Sequence, residues 1–321
     1  MNHFFRKTSK WLPYLVFGIV LAILAFVIYK QRQEILDFPW KINLLYLLTA
    51  SIFHSLALFV TFIVWSMMVY RLSGFKDYWL NFKNYYLSSM AKRVPTSLPY
   101  IGSRISFYAE SKVSVPVILN CIFLENILIT ISGVIFFLSF IPFYSNIDKN
   151  IVVPISIVGI VLIAISLIKP QILIEITNWV LRKFKRDEIK ITLNRNDLIA
   201  WVGIYLFSWL FAGLSFNFLI RSVGVFNYPP LGDVFGISSA LTLVGLISMV
   251  FPGGFGMKEI TAGLMLIPWI PFSTGLIITI ANRVMQTIDD VIWSVLALVS
   301  TQLVKQRNPR PGSDNNTNGL L

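Results

Sequence analysis

Long runs of apolar residues constrain this chain more than any other feature of its sequence. Residues 11–29, 44–69 and 115–140 are each at least 19 residues long and mostly apolar, which is about the length that a helix needs to cross the ~30 Å hydrocarbon core of a bilayer. Of the 321 residues, 56% are hydrophobic and 13% are charged, whereas roughly 25% charged is usual in soluble domains. The sequence therefore predicts an all-α polytopic membrane protein.

About six spans are predicted, and their orientation follows from the preference of Lys and Arg for cytoplasmic loops. The predicted spans are residues 11–29, 42–70, 114–141, 151–168, 198–220 and 273–300. This path places both termini in the cytoplasm and predicts a multi-pass protein of the cytoplasmic membrane. Short basic loops also explain the net charge of +12, so no nucleic-acid partner is expected.

Two further segments interrupt the pattern of simple spans, residues 78–108 and residues 233–270. The first contains the helix breakers Pro95, Pro99 and Gly102, and the second contains the run Pro-Gly-Gly-Phe-Gly at 252–256. Each is predicted to be a re-entrant helical hairpin, which is tolerated in a membrane only where protein covers the irregular backbone or a wet cavity adjoins it. For the first segment, an amphipathic helix on the cytoplasmic surface is the alternative.

The order of these elements repeats along the chain. Residues 11–144 give two spans, a broken segment and a span, and residues 151–300 give the same plan in the opposite orientation. Inverted repeats with broken elements in corresponding positions are typical of transporters, which bind substrate near the bilayer midplane. Residues 1–305 are therefore predicted to be a single membrane domain made of two inverted repeats, and residues 306–321 a disordered cytoplasmic tail.

Ionisable residues inside spans cost a few kcal/mol on insertion scales, so each marks a candidate functional site. Glu125 and Asn126 lie near the middle of their predicted span. In the last span, Arg283, Gln286 and Asp290 recur at steps of three and four residues. Because these spans are equivalent in the two repeats, we expect Glu125 to face Arg283. The alternative is a buried ion pair that fixes helix register and contacts no substrate.

The second break has the composition of an anion site. Its glycines permit left-handed conformations and close backbone approach, and a helix beginning near Lys258 would aim free N–H groups at an anion. The candidate residues here are Pro252, Gly253, Gly254, Gly256, Lys258 and Glu259. A plain loop between two helices is the alternative. At the first break Arg104 is the corresponding candidate, and snorkelling of this cation to the interface is the alternative.

No arrangement of catalytic or metal-binding residues stands out. Cys121 has no His near it in the sequence, and His3 and His54 have no partner at metal-ligand spacing. We expect His54 to be a packed or interfacial residue. No catalytic residue, metal or cofactor is predicted, and the sequence favours transport over enzymatic activity.

A family resemblance rests on the residues around the second break. The run from Gly245 to Glu259 resembles the Pro- and Gly-rich signature of the lysylphosphatidylglycerol synthase/flippase transmembrane family, and Arg283 is similar to the Arg of that family's final span. In the first half, Arg104 and Glu125 are similar to its Arg and Glu. The resemblance spans roughly residues 80–300. It implies translocation of a membrane lipid, and without the family's soluble aminoacyl-transferase domain no synthase activity is expected.

Together these features predict a lipid flippase or transporter whose hairpins meet around a polar cavity. Lys258 and Arg283 are expected to contact the phosphate of an anionic or zwitterionic headgroup. Glu125, Glu259 and Asp290 would balance charge or contact a cationic headgroup. The lipid tail would remain in the bilayer, so we expect a lateral opening between spans.

Two other functions fit the same sequence. The first is a membrane enzyme that transfers a group to or from a polyprenyl-phosphate or a phospholipid, and its general base would be one of the acidic residues Glu125, Glu259, Asp289 and Asp290. The second is a non-catalytic partner of a lipid-glycosylating system. A protein partner, if there is one, is expected to be a second copy of the chain or a membrane enzyme.

Overall fold

The structure, a computed structural model, consists of helices joined by loops, with no strand among the described residues. Apart from scattered single positions, the described residues are 32–38, 40–91, 97–109, 113–140, 194–224, 227–248 and 256–307. The helices are α1 (Arg32–Asp37), α2 (Leu44–Ser73), α3 (Tyr78–Met90), α4 (Ser97–Ala109), α5 (Val115–Phe140), α6 (Arg195–Ser222), α7 (Leu231–Ser248), α8 (Met257–Leu266) and α9 (Phe272–Arg307). The predicted all-α class is confirmed. The predicted first span, fourth span and C-terminal tail lie essentially outside the described residues.

Four of these helices, α2, α5, α6 and α9, are long and apolar enough to cross a membrane. They correspond to the second, third, fifth and sixth predicted spans. With 30 residues, α2 is about 45 Å long at 1.5 Å per residue, so it tilts or extends past the hydrocarbon core. By contrast, α3 and α4 have 13 residues each, or about 20 Å, which is too short to cross. Their insertion from one side of the membrane stays a prediction.

The two central spans, α2 and α6, pack against each other along their length and run antiparallel. At one end, the N–H of Asn43 before α2 donates to the carbonyl of Ser222 at the end of α6 (2.8 Å). At the other end, Arg71 near the end of α2 pairs with Asp197 near the start of α6 (3.0 Å). Contacts that join the start of each helix to the end of the other require opposite directions.

The same two helices begin and end in the same way, which identifies them as equivalent elements. Each starts at an asparagine N-cap, Asn43 or Asn194, whose side chain accepts a hydrogen bond from a backbone N–H of the first turn. Each is followed within two residues by a glycine with positive φ, 69° at Gly74 and 66° at Gly224. Such a left-handed residue is a common helix terminator, and glycine adopts it without steric cost.

The packing of the remaining helices has the same symmetry. The contact of α3 with α9 corresponds to the contact of α7 with α5. The contact of α4 with α5 corresponds to the contact of α8 with α9. Exchanging α2–α5 with α6–α9 leaves the set of contacts among these helices unchanged. Since the equivalent helices α2 and α6 are antiparallel, the two-fold axis that relates the halves is perpendicular to them. This geometry agrees with the predicted inverted repeat.

Glycines allow the helices to approach closely at two of these contacts. A Cβ at Gly275 of α9 would lie 3.1 Å from the Cα of Gly263 in α8, and a Cβ at Gly133 of α5 would lie 2.4 Å from the Trp209 ring of α6. Small residues at helix contacts are typical of membrane bundles, where close packing replaces the hydrophobic effect as a driving force. The short helix α8 is thereby held against α9, the span that carries Arg283 and Asp290.

Candidate functional site

The first candidate centre is a sealed ion pair between α4 and α5. Arg104 Nη1 lies 2.5 Å from Glu125 Oε2, and the Arg104 side chain has no exposed surface. Its guanidinium carbon is 3.9 Å from the centroid of the Trp65 ring, 4.5 Å from that of Tyr85 and 4.7 Å from that of Tyr100. Three aromatic faces therefore surround the cation, each in favourable cation–π range.

Hydroxyl groups complete the surroundings of this pair. Tyr100 donates to Glu125 Oε2 (2.8 Å) and Tyr85 donates to Oε1 (3.3 Å). The Arg104 Nε–H donates to the hydroxyl of Ser88 (3.1 Å). Buried charges are tolerated where they are paired and hydrogen-bonded in this way. In this conformation the pair is closed to any ligand.

The second candidate centre is an ion pair at the start of α8. Arg283 Nε lies 2.6 Å from Glu259 Oε1, and 24% of the Arg283 side chain is exposed. The other carboxylate oxygen, Glu259 Oε2, accepts the backbone N–H of Gly256 (2.9 Å), the N-cap residue of α8 with φ 97°. A carboxylate here is stabilised by the helix dipole. At least one N–H that was expected to receive a foreign anion is thus bound to the protein's own Glu259.

The two centres occupy equivalent positions with their charges exchanged. In the first half the hairpin helix α4 carries Arg104 and the span α5 carries Glu125, whereas in the second half α8 carries Glu259 and α9 carries Arg283. The expectation that Glu125 faces Arg283 is therefore wrong. Each hairpin helix packs against the span that follows it, so each span residue finds its opposite charge within its own half.

Both centres lie at a similar depth along their spans. Glu125 is ten residues after the start of α5 and Arg283 is eleven residues after the start of α9. At 1.5 Å per residue these offsets are about 15 and about 16 Å, close to half of a ~30 Å hydrocarbon core. Charged groups are therefore present in each half near the predicted midplane.

The other predicted site residues are only partly brought together. Lys258 is half-buried and its aliphatic stem lies against α7 at Gly245. Asp290 is buried on α9, and the Gln286 side chain, one turn earlier, is bonded within the same helix. Asn126 is exposed and donates to the carbonyl four residues earlier in α5 (2.7 Å), so it points away from Glu125. Outside the described residues lie Pro252, Gly253 and Gly254.

A groove of about 330 Å³ opens to the outside of the bundle between α2 and α9. Its lining is mostly apolar with two hydroxyl groups, and consists of Ser51, Ile52, Ser55, Leu56, Phe59 and Trp293. The two helices that border it are long and apolar enough to cross a membrane. A lateral opening for lipid between spans stays a prediction.

Comparison with known protein families agrees with this architecture. The family described as the lysylphosphatidylglycerol synthase transmembrane region matches residues 12–293. The chain belongs to this family. No curated protein and no solved structure matches the chain. Membership in the lysylphosphatidylglycerol synthase transmembrane region family supports a lipid-related role in the membrane, and the matched range contains both ion pairs.

Sequence reasoning within this family framework missed two groups of residues. The first is the group of aromatic rings around Arg104. The sequence indicated this group only through the closely spaced aromatic and hydroxyl residues in 85–100. The second is a buried pair between α2 and α9, in which His54 Nδ1 lies 2.8 Å from Asp289 Oδ2. The expectation that His54 is a packed or interfacial residue omits this partner. A histidine within a long apolar run was the signal for it.

Proposed function

We propose that this family member is a flippase that moves a phospholipid or lipid-linked molecule between the leaflets of the cytoplasmic membrane, and that it is not an enzyme. The observation that carries the proposal is the Glu259–Arg283 pair, a partly exposed cation beside a buried carboxylate at about mid-depth. Ionisable groups in the membrane interior are costly to place there, and in transporters they mark the substrate path.

The exposed fraction of each arginine side chain decides which of the two centres a headgroup can reach. Arg283 has 24% of its side chain exposed and Arg104 has none. A lipid phosphate can therefore approach Arg283 in this conformation, where a charge-assisted hydrogen bond would hold it. Lys258, in the first turn of α8, supplies a second positive charge. We assign these two residues to the phosphate.

The acidic residues of the second half would serve the rest of the headgroup. Glu259 neutralises Arg283 while no lipid is bound, so an arriving phosphate must share or displace this carboxylate. Asp290 lies seven residues, or two turns, after Arg283 and therefore on the same face of α9. This buried carboxylate is placed to receive a cationic part of a zwitterionic headgroup.

The first centre would take part only after a conformational change. The rings around Arg104 must separate before Arg104 or Glu125 can contact a headgroup. Because the two halves are equivalent, a rearrangement that opens the first centre and closes the second would expose the site from the opposite side, as in other inverted-repeat transporters. The lipid tail would follow the groove between α2 and α9, and both termini would face the cytoplasm.

Lipid movement by purified protein in vesicles tests this proposal. The probes are fluorescent NBD derivatives of phosphatidylglycerol, lysyl-phosphatidylglycerol and phosphatidylethanolamine, and external dithionite reports the fraction in the outer leaflet. Arg283→Ala and Lys258→Ala each remove a charge-assisted contact worth about 1.5–3 kcal/mol, so each should slow movement about tenfold or more. Arg71→Ala is the matched control, because Arg71 belongs to an exposed pair at the end of α2.

Three outcomes would contradict parts of the proposal. Movement of none of the three probes above the rate in protein-free vesicles would refute a flippase. Wild-type rates in both folded variants would refute the assignment of the phosphate site. Conversion of a labelled donor lipid to a new product by the purified protein would favour the membrane enzyme.

A further inference from the structure

We propose that the His54–Asp289 pair binds the proton whose movement drives lipid transport through this protein. This inference rests on the proposed function and adds its energy source. His54 of α2 and Asp289 of α9 are buried, with 10% and 2% of their side chains exposed. Neither belongs to the two ion pairs of the headgroup centres, and chains of His and acidic residues inside membranes are typical proton carriers.

The geometry identifies the atom that gains the proton. An ionised carboxylate only accepts hydrogen bonds. Ser51 Oγ lies 2.5 Å from Asp289 Oδ1 and His54 Nδ1 lies 2.8 Å from Oδ2, and in the proposed mechanism Asp289 is ionised and accepts both. Nδ1 therefore carries a hydrogen in either charge state of the ring. A second proton can add only at Nε2, which makes no hydrogen bond with another described residue.

Binding of this proton changes the charge of the pair. With a neutral imidazole the pair has a net charge of −1, and with an imidazolium its net charge is zero. A net charge inside the bilayer is unfavourable, so the two charge states of the pair differ in how they interact with the membrane interior. Imidazole is also the side chain that ordinarily changes charge near physiological pH. Proton binding therefore replaces a charged pair by an internally neutral ion pair.

The described part of α6 carries no titratable side chain at the level of the pair. Along α6, the hydroxyl of Ser215 donates to the carbonyl of Ala50 and that of Ser208 to the carbonyl of Ala57. These contacts bracket the level of His54. Residues 209–214 of α6, which lie between them, include no titratable side chain. The antiparallel neighbour of α2 therefore offers no competing charge at this level.

Titratable groups also stand on α9 itself and on the other helices packed against α2 and α9. Among the described side chains these are Arg283 and Asp290 on α9, Tyr78, Lys83, Tyr85 and Tyr86 on α3, Cys121 and Glu125 on α5, Lys258 and Glu259 on α8, and the exposed Arg32 and Asp37 on α1. The two glutamates are paired with arginines. Asp290 interacts with Tyr86 and is the nearest acidic residue along the helix.

The location of the pair provides a path from proton binding to lipid movement. Asp289 follows Arg283 by six residues on the same helix, about 9 Å along its axis. Ser51, which donates to Asp289, also lines the groove between α2 and α9. Proton binding converts the His54–Asp289 contact from a hydrogen bond into an ion pair, which in a low dielectric is stronger. Protonation should thus hold α2 against α9 beside the groove.

A pH gradient across vesicles tests the coupling. Protein is reconstituted with NBD-phosphatidylglycerol, a pH-sensitive dye is trapped inside, and valinomycin with equal potassium sets the membrane potential to zero. If one proton moves per lipid, a gradient of one pH unit should shift the leaflet ratio of the probe by up to about tenfold, and the dye should report proton movement. In His54→Gln and Asp289→Asn the shift should vanish and proton movement should fall to the background.

Ser215→Ala is the matched control, because it removes a buried hydrogen bond between α6 and Ala50 of α2 without removing a titratable group or a residue of the groove. This variant should keep the response to the gradient. Wild-type protein that moves lipid but responds to no gradient would overturn the coupling and leave the flippase intact. Equal loss of the response in all three variants would show a structural role and would also overturn it. Wild-type protein that moves no probe lipid would refute the flippase itself.

Discussion

The sealed Arg104–Glu125 pair gives a quantitative prediction for Glu125→Gln. The substitution keeps the shape of the side chain and removes its negative charge. Arg104 then remains a fully buried cation among Trp65, Tyr85 and Tyr100, with no carboxylate to neutralise it. We expect a large loss of stability, because removing one partner of a buried ion pair leaves the other charge uncompensated.

The remaining contacts set the size of this loss. Breaking a buried pair costs about 3–5 kcal/mol. The amide oxygen of the substituted side chain can still accept a hydrogen bond from Arg104, and the three ring contacts remain, so the lower end of about 3 kcal/mol is expected. This corresponds to roughly a hundredfold decrease in the ratio of folded to unfolded protein.

Unfolding of purified protein in detergent, followed by far-UV circular dichroism during an SDS titration, measures the change. The control is Asp197→Asn, which breaks the Arg71–Asp197 pair, whose side chains are 48% and 30% exposed. An exposed pair contributes about 0–1 kcal/mol. In the double variant Arg104→Met/Glu125→Gln part of the stability should return, because no buried charge is left. Equal losses in Glu125→Gln and Asp197→Asn, or no recovery in the double variant, would refute the reasoning.

Further predictions concern two glycines and the cysteine. A Cβ at Gly74 or at Gly102 would meet no heavy atom within 4 Å. Gly74→Ala should nevertheless destabilise the protein by about 1 kcal/mol, because the φ of Gly74 is 69°. Gly102→Ala in α4 should instead stabilise the protein by up to about 1 kcal/mol. Midpoints of thermal unfolding that shift in the same direction for both variants would contradict this. Cys121 is fully buried, so its labelling by a water-soluble maleimide should follow unfolding, and rapid labelling of folded protein would contradict the packing of α5.

The sequence carried enough information for the spans and for the general plan. Apolar length alone located α2, α5, α6 and α9, since crossing a hydrocarbon core is a constraint on length and composition. Breakers such as Pro95, Pro99 and Gly102 indicated that residues 78–108 would not form one span, and the structure gives two short helices there. The equivalence of the two halves followed from the order of these elements.

The pairing of charges could not be read from the sequence in the same way. Glu125 and Arg283 have opposite charges at equivalent positions, and pattern reasoning joined them. Which residues meet depends on how closely each hairpin packs on its own span. That packing depends on contacts such as the one between Gly263 and Gly275, which no periodicity reveals. The partners Arg104 and Glu259 were recognised as candidates, but not as partners.

Contacts between residues that are far apart in the chain could not be predicted from the sequence either. His54 and Asp289 are 235 positions apart, and neither has a complementary group near it along its own helix. Their proximity results from the packing of α2 on α9. Similarly, Trp65 lies on α2 whereas Arg104 lies on α4, so the enclosure of this cation appears only when the first hairpin is folded against the central span.

The exchange of charges between the two centres has an electrical consequence. The two-fold axis relates equivalent backbone positions of the two halves, but at both centres an arginine in one half corresponds to a glutamate in the other. A shift of the hairpins against the spans would displace the cation Arg104 in one half and the anion Glu259 in the other. Under the proposed function, a headgroup would therefore meet a cation on the hairpin helix of one half and an anion on that of the other. Equivalent backbone positions of the two halves would thus provide electrostatically different environments.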